Sequence, residues 1–320
     1  MAEDRDSLLR LITKLYYMDN LEQSQIAEMV GISRSQISRM LKKAREKGIV
    51  RITVDEYSHR DNVLENELKC IFPLNNVFVI KVIKNLNPDA IRKEVGYFGA
   101  PLISELIISN IVIGVAGGRS ISELVNCMNP VAGAQGITVV QLMGNIGPQI
   151  SNIDAIELSH KLARKYSGSV FTLNAPAHVQ DPKSRDVFLN HEHMLAIWEL
   201  YKVMQIALVG IGSLSNSSFI ERGMLNFQDI QMLKQNCAVG EICGRFYNEN
   251  GEECSTEYRD RVISIGLHEL QRTPEVIGIV SPGHDKVQAV YTAAKNKLIK
   301  SLLIDDIGAA ELIKLAEKIA

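Results

Sequence analysis

The sequence predicts an α/β protein, in which a mostly parallel, doubly wound sheet follows a small N-terminal all-α helix-turn-helix domain of winged-helix-like character. Three observations predict it. From about residue 76 onward, short β-branched runs alternate with amphipathic stretches, the pattern of a parallel sheet covered on both faces. Turn clusters, three of them rich in glycine, follow four of those runs. At the front of the chain, two short helical stretches meet at a glycine, and the second is strongly basic.

Leu8, Leu11, Ile12, Leu15 and Tyr16 recur at helical intervals and predict a first helix over roughly residues 4–18. Asn20 stands three residues before Gln23, a capping-box spacing that opens a second helix running to about Val30. Gly31 supplies a turn residue that tolerates left-handed backbone. Ser33 and Gln36 repeat the spacing and open a third helix through Ile37, Met40, Leu41 and Ala44, which Gly48 ends. Residues 49–54 then alternate as a short strand does. Ala27 is the small residue at the helix crossing, with Ile26, Val30, Ile32, Ile37 and Met40 inside.

This packing leaves Ser33, Arg34, Ser35, Gln36, Ser38, Arg39, Lys42 and Lys43 facing outward as candidate DNA contacts. Arg, Gln and Ser near a helix start suit the donor and acceptor pattern of a major groove. Lys42, Lys43 and Lys47 suit phosphates, which orient a protein without reading sequence. The charge balance agrees. The whole chain carries 35 Lys+Arg and 37 Asp+Glu, yet residues 33–51 hold seven basic residues against Glu46 alone. Such a local basic segment is the electrostatic footprint of a phosphate-binding face.

With 46% hydrophobic and 22% charged residues, the chain is neither disordered nor fibrous. Its apolar stretches fall short of a bilayer span, and its start is acidic where a signal peptide is basic. The five cysteines form no C-x-x-C pair and, being odd in number, argue against a disulfide framework. The expectation is a cytoplasmic protein with no membrane partner.

Residues 1–54 form the expected DNA-binding domain, 55–75 a connector and 76–320 an effector and oligomerisation domain. Residues 58–72 predict a helix burying Val63, Leu64, Leu68 and Ile71 before Pro73 stops it, either a spacer or a dimer contact. Strands are expected at 77–83, 111–115, 137–142, 170–173, 206–209, 276–280 and 301–304. Helices are expected near 88–108, 119–128, 152–167, 183–201, 226–235, 285–297 and 306–318.

In a sheet of this kind ligands bind beyond the carboxyl ends of the strands. At 114–120, Gly117 and Gly118 admit close backbone approach, the helix start favours an anion, and Arg119 and Ser120 add donors. Gly144 with Asn145, the turn containing Ala175, and Gly212 with Ser213 end three further strands. Four such clusters predict a phosphate or sugar-phosphate pocket. Glu241 and Arg245 lie in a later segment leading to a hairpin-type turn at 248–251, and Gly283 and Lys286 join a strand to a helix. Glu241 suits a sugar hydroxyl and Lys286 a phosphate; a surface ion pair is the other reading of these two.

Catalytic patterns are weaker. Asp154, Glu157 and His160 share a helical face and fit either a base set or a solvated flank. His191 and His193, two apart on a helix, would not converge on a metal. The strand ends at 114–120, 141–147 and 174–178 offer no lysine for a Schiff base. The chain is therefore expected to be a non-catalytic sensor without cofactor or metal. The alternative is an isomerase- or deaminase-like enzyme of sugar phosphates carrying an accessory DNA-binding module.

Over nearly its whole length the chain resembles the SorC family of bacterial sugar-responsive transcriptional regulators. The helix-turn-helix and following strand look like residues 25–54. The glycine-rich turn resembles 114–120, Val-Gln-Leu-x-Gly resembles 140–144, and the Ala-Pro turn resembles Ala175-Pro176. Gly-Ile-Gly-Ser stands at 210–213, Val-Gly-Asp-Ile-Cys-Gly-Arg-Phe resembles 239–246, and Gly-x-x-Lys resembles 283–286. The resemblance implies an effector domain of the fold shared with glucosamine-phosphate deaminases and ribose-phosphate isomerases. It further implies a phosphorylated sugar or polyol effector, operator DNA as partner, and self-association as dimer or tetramer. There are departures: Gly117 replaces a usual Trp, Glu241 a usual Asp, and Ile304 a frequent Thr. The first removes a large pocket wall and the second lengthens an acid, so a differently shaped effector is expected.

Overall fold

The computed structural model describes residues 2–50 and 59–319. It divides into two compact units, Met1–Tyr57 and Ser58–Ala320.

The first unit contains α1 (Ala2–Tyr17), α2 (Gln23–Val30) and α3 (Arg34–Glu46). Ile12, Ile26, Ile37 and Leu41 form its core, with Leu8, Leu15, Ala27, Val30, Ile32 and Met40 packed around them. Leu9 completes the inward stripe of α1, whereas Leu11 is 48% exposed. At about 100° per residue, a shift of two positions moves a side chain to the opposite face. Helix α2 begins later than the Asn20–Gln23 capping-box spacing predicts. Its cap is Glu22, whose N–H donates to Gln25 Oε1 at 2.9 Å, while Asn20 occupies a left-handed turn. Gly31 is left-handed at φ 72° and closes α2 through its N–H to the Ala27 carbonyl at 3.0 Å. The strand expected over 49–54 falls largely outside the described residues.

In the second unit, α4 (Asn62–Ile71) is started by Asp61, which accepts the Val63 and Leu64 amides. Next come β1 (Asn76–Ile80), α5 (Pro88–Ser104), β2 (Val112–Val115), α6 (Arg119–Cys127), β3 (Thr138–Gln141), α7 (Ala155–Lys165) and β4 (Ser169–Phe171). Then α8 (Pro182–Leu189), α9 (Glu192–Val203), β5 (Ile206–Gly210), α10 (Ser218–Glu221) and α11 (Phe227–Gln235) lead to a hairpin of β6 (Ala238–Ile242) and β7 (Arg245–Asn248). The chain ends with α12 (Leu267–Arg272), β8 (Glu275–Val280), α13 (Val287–Lys295), β9 (Ser301–Asp305) and α14 (Asp306–Ile319).

Seven strands pair in parallel in the order β1-β9-β8-β5-β2-β3-β4. Helices α5, α6 and α7 pack successively on one another and on the sheet, while α4, α14 and α13 form a second packed series. Apolar layers on both faces explain the unbroken hydrophobic strand sequences: all five residues of β9 are buried. Gly96 permits the closest helix contact, because a Cβ there would lie 2.7 Å from the Glu123 backbone of α6.

Two expectations change. Helix α4 belongs to the second unit, packing on β1 and α14, and buries Leu68 together with Glu65. Glu65 accepts from Arg60 at 2.9 and 2.6 Å and from the Val79 amide at 3.0 Å, which turns Val63 (74% exposed) and Ile71 (39%) outward. The stretch 183–201 is two helices, because the His191 ring accepts the His193 amide and caps α9. The hairpin-type turn expected at 248–251 is present, with the Gly251 amide donating to the Asn248 carbonyl at 2.9 Å, and the β6–β7 hairpin precedes it. The β6–β7 turn uses two left-handed residues, Cys243 at φ 54° and Gly244 at φ 78°.

From β2 the chain winds outward through β3 and β4, then returns to β5 on the other side of β2 and continues through β8 and β9. This reversal is a topological switch point, and it places a crevice beyond the ends of β2 and β5.

Candidate functional site

On the first unit, α3 presents one continuous polar face. Ile37, Leu41 and Ala44 are buried, whereas Ser33, Arg34, Ser35, Gln36, Ser38, Arg39, Lys42 and Lys43 are all exposed. Two of these polar residues also build the helix. Ser33 Oγ accepts the Gln36 amide at 3.3 Å, and Gln36 Oε1 accepts the Ser33 amide at 2.9 Å, so Gln36 keeps only its NH2 for an outside partner. Arg39 Nε donates to the Ser35 carbonyl at 3.3 Å, which holds the guanidinium along the helix surface. Lys47 pairs with Asp6 of α1 at 2.8 Å and is thus less available to phosphates than Lys42 and Lys43.

On the second unit, the crevice at the switch point is lined by Gly117, Gly118, Arg119, Ser120, Gly212, Glu241 and Lys286 among the residues singled out above. Arg92 from α5, Asn216, Ser218 and Phe219 also line it, and no motif in the sequence marks them; Met143, the variable position of the 140–144 motif, lines it too. The glycine amides act differently from expectation. Gly117 N–H faces Met143 Sδ at 3.4 Å and Gly118 N–H donates to the Ile153 carbonyl at 2.8 Å, so both are spent on structure. The first-turn amides of α6, at Arg119, Ser120 and Ile121, are the ones that no side chain caps. Gly118, at φ 144°, makes this sharp entry into α6. A Cβ on Gly117 would press on Ala155 N at 3.0 Å and the Ile153 carbonyl at 3.1 Å; backbone therefore occupies part of the space a larger residue would take.

Three cations surround this helix start. Arg119 pairs with Glu221 at 3.0 Å, and Arg92 pairs with Asp89. Lys286 is half-buried, and burial, followed by the nearby Arg92 and Arg119 charges, lowers its pKa to about 8. Burial likewise lowers Arg92, with Arg119 adding repulsion. Glu241 also lines the crevice, near enough to Lys286 for the two charges to interact. Burial raises the Glu241 pKa, against the opposing effect of hydrogen bonds from the Gly244 amide and from Ser217 Oγ, the latter at 3.1 Å. The crevice therefore combines three cations with one fixed acceptor, and Asn216 and Ser218 add polar groups to its wall.

The remaining candidates are elsewhere. A Cβ on Gly144 would meet the Pro176 carbonyl at 2.4 Å, and Asn145 donates its amide to the Ala175 carbonyl at 2.9 Å; these residues, with buried Ala175, lock two strand ends together. Ser213 Oγ pairs with Ser215 Oγ at 3.0 Å. Arg245 is buried and fully engaged by Ser264, Glu253 and the Arg259 and Val262 carbonyls. Gly283 donates its amide to Asp305 Oδ2 at 2.7 Å, shaping the loop that carries Lys286 without lining the crevice. A reader of sequence cannot separate glycines that face a ligand from those that face backbone.

The catalytic patterns do not assemble. Asp154 is buried and paired with Arg222, while Glu157 and His160 are exposed. His193 Nε2 lies 2.6 Å from the Thr172 carbonyl, and no cluster of three metal-ligating groups occurs among the described residues. No helix among them is long and apolar enough to cross a membrane.

Comparison with known proteins agrees with this geometry. The family model Sugar-bind, a sugar-binding domain, matches residues 57–314, and a Crp-like helix-turn-helix domain matches residues 7–61. The deoxyribonucleoside regulator of Bacillus subtilis is 28% identical over 320 residues, covering 98% of this chain and 99% of its own. The sorbitol operon regulator of Klebsiella pneumoniae is 28% identical over 312 residues, covering 96% and 98%. The crystal structure of the full-length sorbitol operon regulator SorC from the same organism superposes with a TM-score of 0.75 at 27% identity, again over 96% and 98% of the two chains. The chain belongs to the SorC family of DNA-binding transcriptional regulators, with a helix-turn-helix and a sugar-binding domain on one polypeptide and a sugar-type molecule as its effector.

Proposed function

We propose that the effector is a phosphorylated sugar or polyol, seated in the crevice with its phosphate at the start of α6. The convergence of Arg92, Arg119 and Lys286 on the uncapped amides of Arg119, Ser120 and Ile121 carries this reading. A helix N-terminus and three cations suit a dianion, whereas Glu241, Asn216 and Ser218 suit hydroxyls on the rest of the ligand. The names of two relatives, a deoxyribonucleoside and a sorbitol operon regulator, point to hydroxyl-bearing molecules.

In this reading the protein is a sensor and not a catalyst: Glu241 and Lys286, the acid and the base lining the crevice, hold ligand hydroxyl and phosphate, and the curated relatives are regulators. It works in the cytoplasm as a homo-oligomer, dimer or tetramer, with two α3 helices in successive major grooves about 34–36 Å apart. The ligand changes operator affinity only by binding one arrangement of the oligomer better than another. Thermal unfolding of the full chain against a panel of sugar and polyol phosphates tests the assignment, because a ligand of the native state raises the midpoint by mass action. A midpoint raised by the phosphates and not by the parent sugars is the expected result; an equal response to both removes the phosphate from the proposal.

A further inference from the structure

Arg119 differs from the other two cations of the crevice in the origin of its counter-ion. Arg92 is held by Asp89, three residues away on its own helix. Lys286 has no acid within ion-pair distance among the described residues, Glu241 being its nearest acidic influence within the crevice. Arg119 is paired with Glu221, which lies on α10 at the far end of the segment that also brings Asn216, Ser218 and Phe219 to the crevice wall. The pair is partly open to solvent, with side-chain exposures of 44% and 43%. Glu221 also acts electrostatically on Arg92 and Lys286. The neighbouring residue is tied the other way: Arg222 pairs with buried Asp154 and donates to the Ile146 carbonyl.

We propose that Glu221 is the built-in counter-ion of the anion site, occupying Arg119 when the crevice is empty and displaced by the anionic group of the effector. This rests on the phosphate reading given above and adds to it a residue that sets the charge an effector must carry. A neutral sugar cannot replace a carboxylate on a guanidinium. A phosphate dianion can, because it also gains the α6 amides and Lys286. Once released, Glu221 faces the bound anion with like charge. The end of α10 then loses its tether to α6, while Arg222 still anchors the following residue to Asp154. Effector charge is thereby read out as loss of the ion pair between α10 and α6.

The test is calorimetric titration of the full chain with inorganic phosphate at pH 7 and low salt, comparing wild type, E221Q and E199Q. Glu199 pairs with Lys202 on α9, so E199Q removes the same charge away from the crevice. An exposed ion pair is a weak competitor, so E221Q is expected to bind phosphate about threefold tighter than wild type, with E199Q unchanged. Unfolding midpoints of the three proteins confirm that each is folded. Wild-type binding with no gain in E221Q, or the same gain in E199Q, overturns the role of Glu221 alone. Absence of phosphate binding in all three overturns it together with the phosphate reading.

Discussion

Gly212 and Glu241 fit together through both backbone and side chain. Gly212 donates its amide to the Glu241 carbonyl at 2.9 Å and accepts the Glu241 amide at 3.0 Å, and a Cβ on Gly212 would stand 2.5 Å from Glu241 Oε2. This contact joins the end of β5 to the β6–β7 hairpin and fixes the acid in the crevice wall.

Gly212→Ala therefore forces the Glu241 carboxylate away from Ser217 and the Gly244 amide. Overpacking of this kind costs about 1–3 kcal/mol. Denaturant unfolding should show that loss, and effector affinity should fall with it. A variant as stable as wild type would mean that Glu241 has room to move.

Lys286 makes anion binding pH-dependent. Its pKa is about 8 in the folded chain, lowered mainly by burial, so an anion bound beside it stabilises the charged form. Affinity for a phosphate ligand should hold between about pH 7 and 8, where the ligand is largely a dianion, and fall as the pH rises above 8; Lys286→Met should abolish that decline. Stability of the ligand-free protein runs the other way. The unfolded lysine, at about 10.4, binds more protons than the folded one between pH 8 and that value, so Lys286 makes stability rise with pH across this window. Calorimetry at pH 7 and 9 and unfolding curves over pH 7.5–10 measure the two effects.

On the DNA side, Arg39→Ala should weaken operator binding while leaving effector affinity unchanged, since Arg39 lies on the exposed face of α3. Lys42→Ala should weaken binding to all sequences alike and reduce the slope of log affinity against log salt by about 1, the signature of one lost phosphate contact. Gel-shift titrations at several salt concentrations separate the two.

Gly31→Ala tests backbone conformation without a steric complication. Nothing lies within 4 Å of a Cβ there, yet φ is +72°. The substitution should destabilise the helix-turn-helix by about 1 kcal/mol, the backbone cost of a left-handed alanine. Hydrogen exchange of α2 and α3 amides should accelerate, while those of the parallel sheet keep their rates.

The sequence by itself determined the elements whose signals are local. Seven apolar runs became the seven strands of the sheet; six are buried on both faces and read as continuous apolar runs, while β4 at the edge is largely exposed. The Ser33–Gln36 box and Gly31 set the limits of α3 and its turn, since capping and left-handed backbone are decided within a few residues. Arg119, Ser120 and Lys286 could be named because each follows a strand that had to end beside the crevice.

Tertiary structure alone decided the rest. Arg92 and Glu221 reach the site from α5 and α10, separated in sequence from every glycine motif, and only the strand order brings them to the start of α6. Val63 turned outward because a distant β1 amide and Arg60 drew Glu65 inward. Gly144, Arg245 and Gly283 carry the same residue types as a ligand site yet pack on backbone, buried carbonyls and Asp305. Local propensity specifies where a chain bends; which charges and glycines then meet depends on contacts between residues far apart in sequence.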